Sequence, residues 1–223
     1  MKDDVGSGDR PPRRLDATTI RVAAEAIADG DPVMAAVLQT HGPPPLWKRP
    51  QTFATFVRII LEQQVSLSSA RSTFQRLARS MPDGVTATRV VAAGQPGLQA
   101  VGFSRQKSRY AVSLADDVIA GRFRIPALRT MPDDQVRRQI TDRLGLGDWS
   151  AGVYLMMAML RPDVLPHGDL ALVKGLAELD DGVYGDPVEL ERRTESWRPF
   201  RSVGVRMVWQ AYLARRNQRF QPT

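Results

Sequence analysis

Cysteine is absent from the 223 residues, and histidine occurs only twice, at His41 and His167. The missing thiols exclude disulfides, thiolate zinc sites, iron–sulfur clusters and a cysteine nucleophile. Two histidines leave little for a side-chain metal site, and none is expected. Long apolar runs are missing too: the longest, Val153 to Leu160, falls far short of a membrane span. Residues 1–14 carry no apolar stretch of the secretory kind, so the expectation is a cytoplasmic protein that meets no membrane. Lysine is scarce, four against 27 arginines, and the 31 basic residues exceed 24 acidic ones by a net +7. Such an excess suits a polyanionic partner, although many ordinary proteins carry as much.

What is present reads as helix. Residues 1–14 are polar, with two prolines and two glycines, and are expected to form a disordered tail. From Asp16 onward few stretches alternate with period two, and the spacing predicts about ten helices. Asp31-Pro32 supplies a cap and a first-turn proline for a helix reaching about His41. Thr52 to Glu62 places Phe53, Phe56, Val57, Ile60 and Leu61 on one face. Further helices are expected from Ser66 to Arg79, over 86–93 and 96–101, from Ser104 to Ala120, and from Pro132 to Arg143. A strongly apolar helix follows over Trp149 to Leu160, then others over 170–179, 187–196 and 200–216. No internal repeat is evident.

The first segment with a mechanism is Gln135–Leu160. Gly145-Leu146-Gly147 turns the chain sharply, and a new helix starts at once with Asp148-Trp149-Ser150-Ala151. Glycines allow close backbone approach to a ligand, and the helix start offers unpaired N–H groups to a phosphate oxygen. Leu146 would pin the turn to the core, and Ser150 would let the two helices pack closely. An ordinary helix–turn–helix fits the same residues, and Asp148 in the first turn opposes an anion. Downstream, Pro166 and Gly168 force an irregular loop that places Asp169 where the next helix begins. Asp169 is there either a plain N-cap or a carboxylate held at the mouth of a groove.

Taken in order, five blocks resemble one family. Gly145–Ala151 followed by Leu165-Pro166-His167-Gly168-Asp169-Leu170-Ala171-Leu172 looks like the hairpin, Gly/Pro-rich loop and aspartate of helix–hairpin–helix (HhH-GPD) DNA glycosylases. Within that superfamily the chain resembles the 3-methyladenine DNA glycosylase II group. Ile59–Ser66, Gly102–Lys107 and Trp197–Ser202 with Trp209 are similar to three further segments of that group. The matches run over about residues 16–216. The resemblance implies an all-α, two-lobed fold without the N-terminal β-domain of some longer members. One lobe would span 51–162 with the hairpin, the other 15–50 plus 163–220 with the catalytic Asp, the site lying in the cleft.

The same resemblance implies roles for residues. Asp169 would be catalytic: as a base departs, positive charge builds on the deoxyribose, and a shielded carboxylate stabilises it and orients water. Gln63 and Gln64 match the segment where the family inserts a residue into the emptied stack; the alternative is that both satisfy backbone groups in the turn. Trp149 and Trp209 match base-pocket positions, where a cationic base stacks on aromatic faces, although ordinary core packing fits each singly. Val153 departs from the pattern, standing where some members carry a pocket tyrosine, with Tyr154 beside it. Strand-nicking relatives place a lysine at the position of Trp149, so a monofunctional glycosylase leaving an intact abasic site is implied. No cofactor is expected beyond a monovalent Na+ or K+ held by the carbonyls of Thr141, Arg143 and Leu146.

DNA contacts are expected from Gln63, Gln64, Gly145, Leu146, Gly147, Ser150 and Arg201, the last more as a clamp than a base reader. Eight arginines between 192 and 220 face only Glu195 in that window, so the final helices are expected to carry much of the excess charge. A second group is Arg105, Lys107 and Arg109. Each singly fits either a phosphate contact or a solvated helix face. The expectation is therefore a monomeric, nucleoid-associated glycosylase excising alkylated bases from damaged double-stranded DNA. A deaminated or etheno base as substrate, or a non-catalytic helix–hairpin–helix DNA-binding module, stands as the alternative.

Overall fold

A computed structural model describes residues 13–218, so most of the expected N-terminal tail lies outside the described residues, as does Arg219. The helices, in chain order, are α1 (Ala17–Gly30), α2 (Pro32–His41), α3 (Phe53–Glu62), α4 (Leu67–Ser80), α5 (Ala87–Ala100) and α6 (Arg105–Ile119). They continue with α7 (Asp133–Thr141), α8 (Asp148–Met157), α9 (Leu170–Asp180), α10 (Pro187–Thr194) and α11 (Arg201–Ala214). Short 3-10 turns occupy Ile125–Thr130 and Glu195–Trp197, and no strand occurs among the described residues. The protein is all-α. No helix among these residues is long and apolar enough to cross a membrane.

Local sequence explains most helix boundaries. Asp16 accepts from the backbone N–H groups of Thr18 and Thr19, and the Thr19 hydroxyl oxygen accepts from the Asp16 N–H, a capping box for α1. Ser66 and Ser104 cap α4 and α6 through their hydroxyls. Inside α5 the backbone departs from the helix at Gly94 (φ +60°, ψ −178°), two residues before Pro96. That break coincides with the expected split between 86–93 and 96–101. Pro96 has no N–H to donate, so the chain gives up little by leaving the helix there.

The chain divides into two compact units. Among the described residues, one comprises 13–46, 160–165 and 170–218. It contains α1, α2, α9, α10 and α11, with α1 against α2 and α11 against both α9 and α2. Gly204 lets α11 approach the Trp197 ring, where a Cβ would meet Trp197 Cε3 at 2.3 Å. The second unit comprises Trp47–Met159 and Pro166–Asp169, hence α3 to α8. Its core stacks Phe56 on Tyr154 at 4.3 Å between centroids and sets Phe123 edge-on to Phe56 at 5.2 Å. Helix α8 is buried on every side from Ser150 to Met157, which is why its sequence shows no amphipathic stripe. Asp169 therefore groups with the hairpin-bearing helices, whereas the sequence assigns it to the second lobe.

The charge distribution corrects a second expectation. Among the described residues the C-terminal arginines are engaged locally. Arg192 pairs with Glu189, Arg193 with Asp31 and Asp180, Arg198 with Asp163 and Glu195, and Arg215 and Arg216 with Glu178. Arg206 is fully buried, donates to Ser202 O at 2.7 Å, and has its pKa lowered by that burial. Counted by unit over the described residues, the first holds 12 basic and 12 acidic residues, and the second 16 against nine. Among the described residues the whole basic excess thus belongs to the hairpin unit and not to the final helices.

Asp31 is the most buried of these carboxylates. Its carboxylate caps α2 through Val33 and Met34 N–H, and accepts Arg193 Nη1 at 2.6 Å and Trp197 Nε1 at 2.8 Å. Burial alone would raise its pKa, but the Arg193 and Trp197 hydrogen bonds outweigh it and hold the carboxyl below its usual value. The stabilisation is then complete above the unfolded carboxyl value of roughly 4 and is lost as pH falls through the lower folded value. Asp31→Asn should cost about 3 kcal/mol at neutral pH, because it strands Arg193 partly unpaired. Denaturant unfolding should show the difference from wild type shrinking below about pH 4; a gap that persists there would refute the assignment.

Candidate active site

The site is built where α3 ends. Glu62, the last residue of α3, is gripped by Arg49 in a paired contact at 2.8 and 2.7 Å. Gln63 then leaves the helix in an extended conformation, and Gln64 takes the left-handed region at φ +55°. Lys107, from the first turn of α6, lays its ammonium on two carbonyls of this turn, Leu61 O at 2.7 Å and Gln63 O at 2.8 Å. Those are the carbonyls a helix end leaves without partners. Burial lowers the Lys107 pKa, while the Glu62 charge opposes that shift. Lys107 is therefore a cap for α3, which removes it from the expected group of phosphate contacts.

The two glutamines have different jobs. Gln63 turns its amide to the hairpin, donating to Gly145 O at 2.7 Å and to Ser150 Oγ at 3.3 Å. Its amide is thus engaged inside the protein as a clasp. Gln64 is exposed at the tip of the turn, followed by the exposed Val65. Of the two, Gln64 keeps the geometry of a residue that can be inserted elsewhere.

The hairpin itself depends on two unlike glycines. Gly145 has φ +79°, and a Cβ there would strike the Tyr110 ring at 2.2 Å. Gly147 has an extended backbone at the N-cap of α8, and nothing lies within 4 Å of where its Cβ would be. Gly145 is thus required by packing, and Gly147 leaves open space in front of a helix start. The N–H groups of Asp148, Trp149 and Ser150 have no acceptor among the described residues, and no side chain caps α8. Leu146 is buried and pins the turn, as expected. The carbonyl oxygens of Thr141 and Leu146 accept no hydrogen bond among the described residues, and that of Arg143 accepts Leu146 N–H at 3.1 Å. Three neutral oxygens in one turn suit a hard cation.

Asp169 completes the arrangement. It is buried, stands immediately before α9, and its Oδ2 accepts the indole N–H of Trp149 at 2.8 Å. Its own N–H donates to Pro166 O at 3.2 Å, closing the Pro166–Asp169 turn. Trp149, expected as a pocket wall, also orients the carboxylate, a role nothing in its sequence position announces. The half-buried His167 lies in the same turn.

Other expected residues fall elsewhere. Trp209 is half-buried on α11, in the other unit. Arg201, also in that unit, donates to Asp163 at 2.7 and 3.1 Å and to Glu191 at 2.8 Å, which is the clamp role expected for it. Tyr154 does not stand in for the absent pocket tyrosine: it is fully buried in the aromatic stack, and burial raises its pKa. Sequence reasoning missed Tyr110 under the hairpin and the capping role of Lys107. The only available signals were the helical spacing of Tyr110 and the presence of Lys107 in a matched block.

The family described as HhH-GPD superfamily base excision DNA repair protein matches residues 57–200, well over half of the chain. The chain belongs to the HhH-GPD superfamily. Among solved structures, a 3-methyladenine DNA glycosylase of Schizosaccharomyces pombe (Mag1) in complex with abasic DNA superposes with a TM-score of 0.78. That likeness covers 85% of this chain and 95% of the other at 21% identity, and shows the fold. DNA-3-methyladenine glycosylase 2 of Escherichia coli is 24% identical over 169 residues, 70% of this chain and 56% of its own. A Bacillus subtilis relative, YfjP, is 22% identical over 188 residues, 80% of this chain and 65% of its own. The chain thus spans 56% and 65% of the lengths of these two relatives, in each case less than two thirds.

The HhH-GPD hairpin offers a direct check of the packing. Gly145→Ala should cost about 2 kcal/mol from the left-handed backbone alone, and more from the Tyr110 collision. Tyr110→Ala made together with it should recover the collision part, so the pair should unfold less than additively in a double-mutant cycle. Strict additivity would mean that the ring and the turn do not meet.

Proposed function

We propose that this chain is a monofunctional DNA glycosylase that excises alkylated bases of the 3-methyladenine kind from double-stranded DNA. The observation that carries the reading is the buried Asp169 carboxylate, fixed at 2.8 Å by the Trp149 indole beside the hairpin of an HhH-GPD chain. The naming of the Escherichia coli and Schizosaccharomyces pombe relatives as 3-methyladenine glycosylases supports the substrate class.

In this reading the free N–H groups at the start of α8, reached across the open space at Gly147, take a phosphate oxygen of the duplex. The carbonyls of Thr141, Arg143 and Leu146 would hold a monovalent cation, which would supply positive charge beside that phosphate. Gln64 at its exposed tip enters the stack as the damaged nucleotide turns outward. An alkylated purine is already cationic, so it needs no separate general acid to leave. The C1′–N bond breaks with its electron pair going to the departing base, which becomes neutral. Asp169 stabilises the positive charge left on the sugar and takes the proton of the water that adds at C1′. Trp149 keeps the carboxylate aimed and offers a face on which the cationic base stacks. The stacking role proposed for Trp209 rests on its position in the family pattern alone.

A lyase step needs an amine that can form a Schiff base. Tryptophan occupies the relevant position 149, and the Lys107 ammonium is occupied by two carbonyls. The product is therefore an intact abasic site.

Two measurements test this. On a panel of single-lesion duplexes carrying 3-methyladenine, 7-methylguanine, ethenoadenine, hypoxanthine or uracil, the wild type should release the methylated purines fastest. Asp169→Asn should lower that release at least roughly 100-fold, by analogy with the removal of other electrostatic stabilisers, while duplex binding persists. Equal release by Asp169→Asn would overturn the mechanism, and salt-sensitive binding without any release would make the chain a DNA-binding module. Separately, borohydride should trap no covalent protein–DNA adduct and no strand should be nicked; a trapped adduct would end the monofunctional assignment.

A further inference from the structure

Two turns of α6 touch both halves of the site. Lys107 reaches inward to the α3 carbonyls, and Tyr110 packs beneath Gly145 of the hairpin. Arg105 and Arg109 stand on the same helix four residues apart, hence on one face, and both are exposed. Neither makes an ion pair or a side-chain hydrogen bond among the described residues; Arg109 lies only over the ring of its neighbour Tyr110, at 5.7 Å. This contrasts with the described arginines of the C-terminal helices, where carboxylates take up the charge or burial hides it.

We infer that Arg105 and Arg109 form a second grip on the DNA backbone, separate from the hairpin, which binds duplex phosphates regardless of the lesion. The inference rests on the DNA-glycosylase reading above. Three observations carry it. Among the described residues the whole basic excess lies in this unit, two exposed guanidinium groups have no carboxylate partner, and the turn that carries them is fastened to the Gln63–Gln64 segment and to the hairpin. An exposed guanidinium unpaired within its own chain is suited to a phosphodiester. Because Lys107 and Tyr110 fix the helix from below, the outward arginines keep a set distance from the tip at Gln64. Such a grip would seat the enzyme in register on undamaged DNA before any base is turned out.

The test is the salt dependence of duplex binding by the full chain, with matched undamaged and methylated-purine duplexes as probes. Arg105→Gln, Arg109→Gln and the double variant are compared with Arg192→Gln, which removes an equal charge from an arginine already paired with Glu189. Removing one phosphate-bound guanidinium should flatten the slope of log K against log salt by about 0.9, so the double variant should flatten it by about 1.8. The change should be the same on both duplexes, Arg192→Gln should keep the wild-type slope, and single-turnover release at saturating protein should change less than about twofold. An unchanged slope in the double variant, or an equal flattening in Arg192→Gln, would overturn the second grip while leaving the glycosylase reading intact. A wild type that neither binds duplex nor releases a base would instead bring down that reading, and this inference with it.

Discussion

The ammonium of Lys107 closes the end of α3, and the rest of the site depends on that closure. A helix terminus leaves carbonyls that need partners, and a partly buried turn cannot leave them all to water. With Leu61 O and Gln63 O satisfied from α6, the chain can leave the helix abruptly at Gln63. The same turn frees the Gln63 amide to reach Gly145, so the α3 exit and the hairpin are fixed to one another. Ser150, one residue past Trp149, joins that contact, and Trp149 in turn holds Asp169. A chain of hydrogen bonds and adjacent residues thus runs from a half-buried lysine to the carboxylate. Buried networks of this kind are costly when half-satisfied and rigid when complete.

Much of this was legible in the sequence. Helix boundaries follow caps and prolines that can be read directly, such as Asp31-Pro32 before α2 and Ser104 before α6. The interruption between 93 and 96 follows from Gly94 and Pro96. The hairpin and Asp169 follow from motif order. What was not legible is what each side chain touches. Gln63 and Gln64 are identical and adjacent, yet one faces the hairpin and the other faces solvent, and only the backbone angles decide which. Trp149 reads as an aromatic wall because its N–H, a single polar atom, leaves no trace in spacing. Lys107 reads as one more surface charge because the carbonyls it caps lie more than forty positions earlier.

The charge balance fails to read for the same reason. A window over the final helices counts Glu195 and little else, but Asp31, Asp163, Glu178 and Asp180 come from distant segments to meet those arginines. Sequence neighbourhood and spatial neighbourhood differ most for long, charged side chains. The arginine-rich C-terminus is therefore a structural network, with Asp31 shared between a helix cap, a guanidinium and an indole. The positive field arises instead from α3 to α8, where basic residues outnumber their acidic partners.

The left-handed backbone of Gln64 has one further consequence. A residue other than glycine at φ +55° costs roughly 1 kcal/mol, and persists only where its surroundings over-determine it. Here the shape is imposed from both sides, by the capped carbonyl of Gln63 before it and the Ser66 cap of α4 after it. The tip residue is consequently free of any role in building the turn it occupies. Its backbone is dictated by neighbours, and its side chain makes no hydrogen bond among the described residues. Evolution can exchange the chemistry at that point, from amide to aliphatic or aromatic, without redesigning the scaffold beneath it.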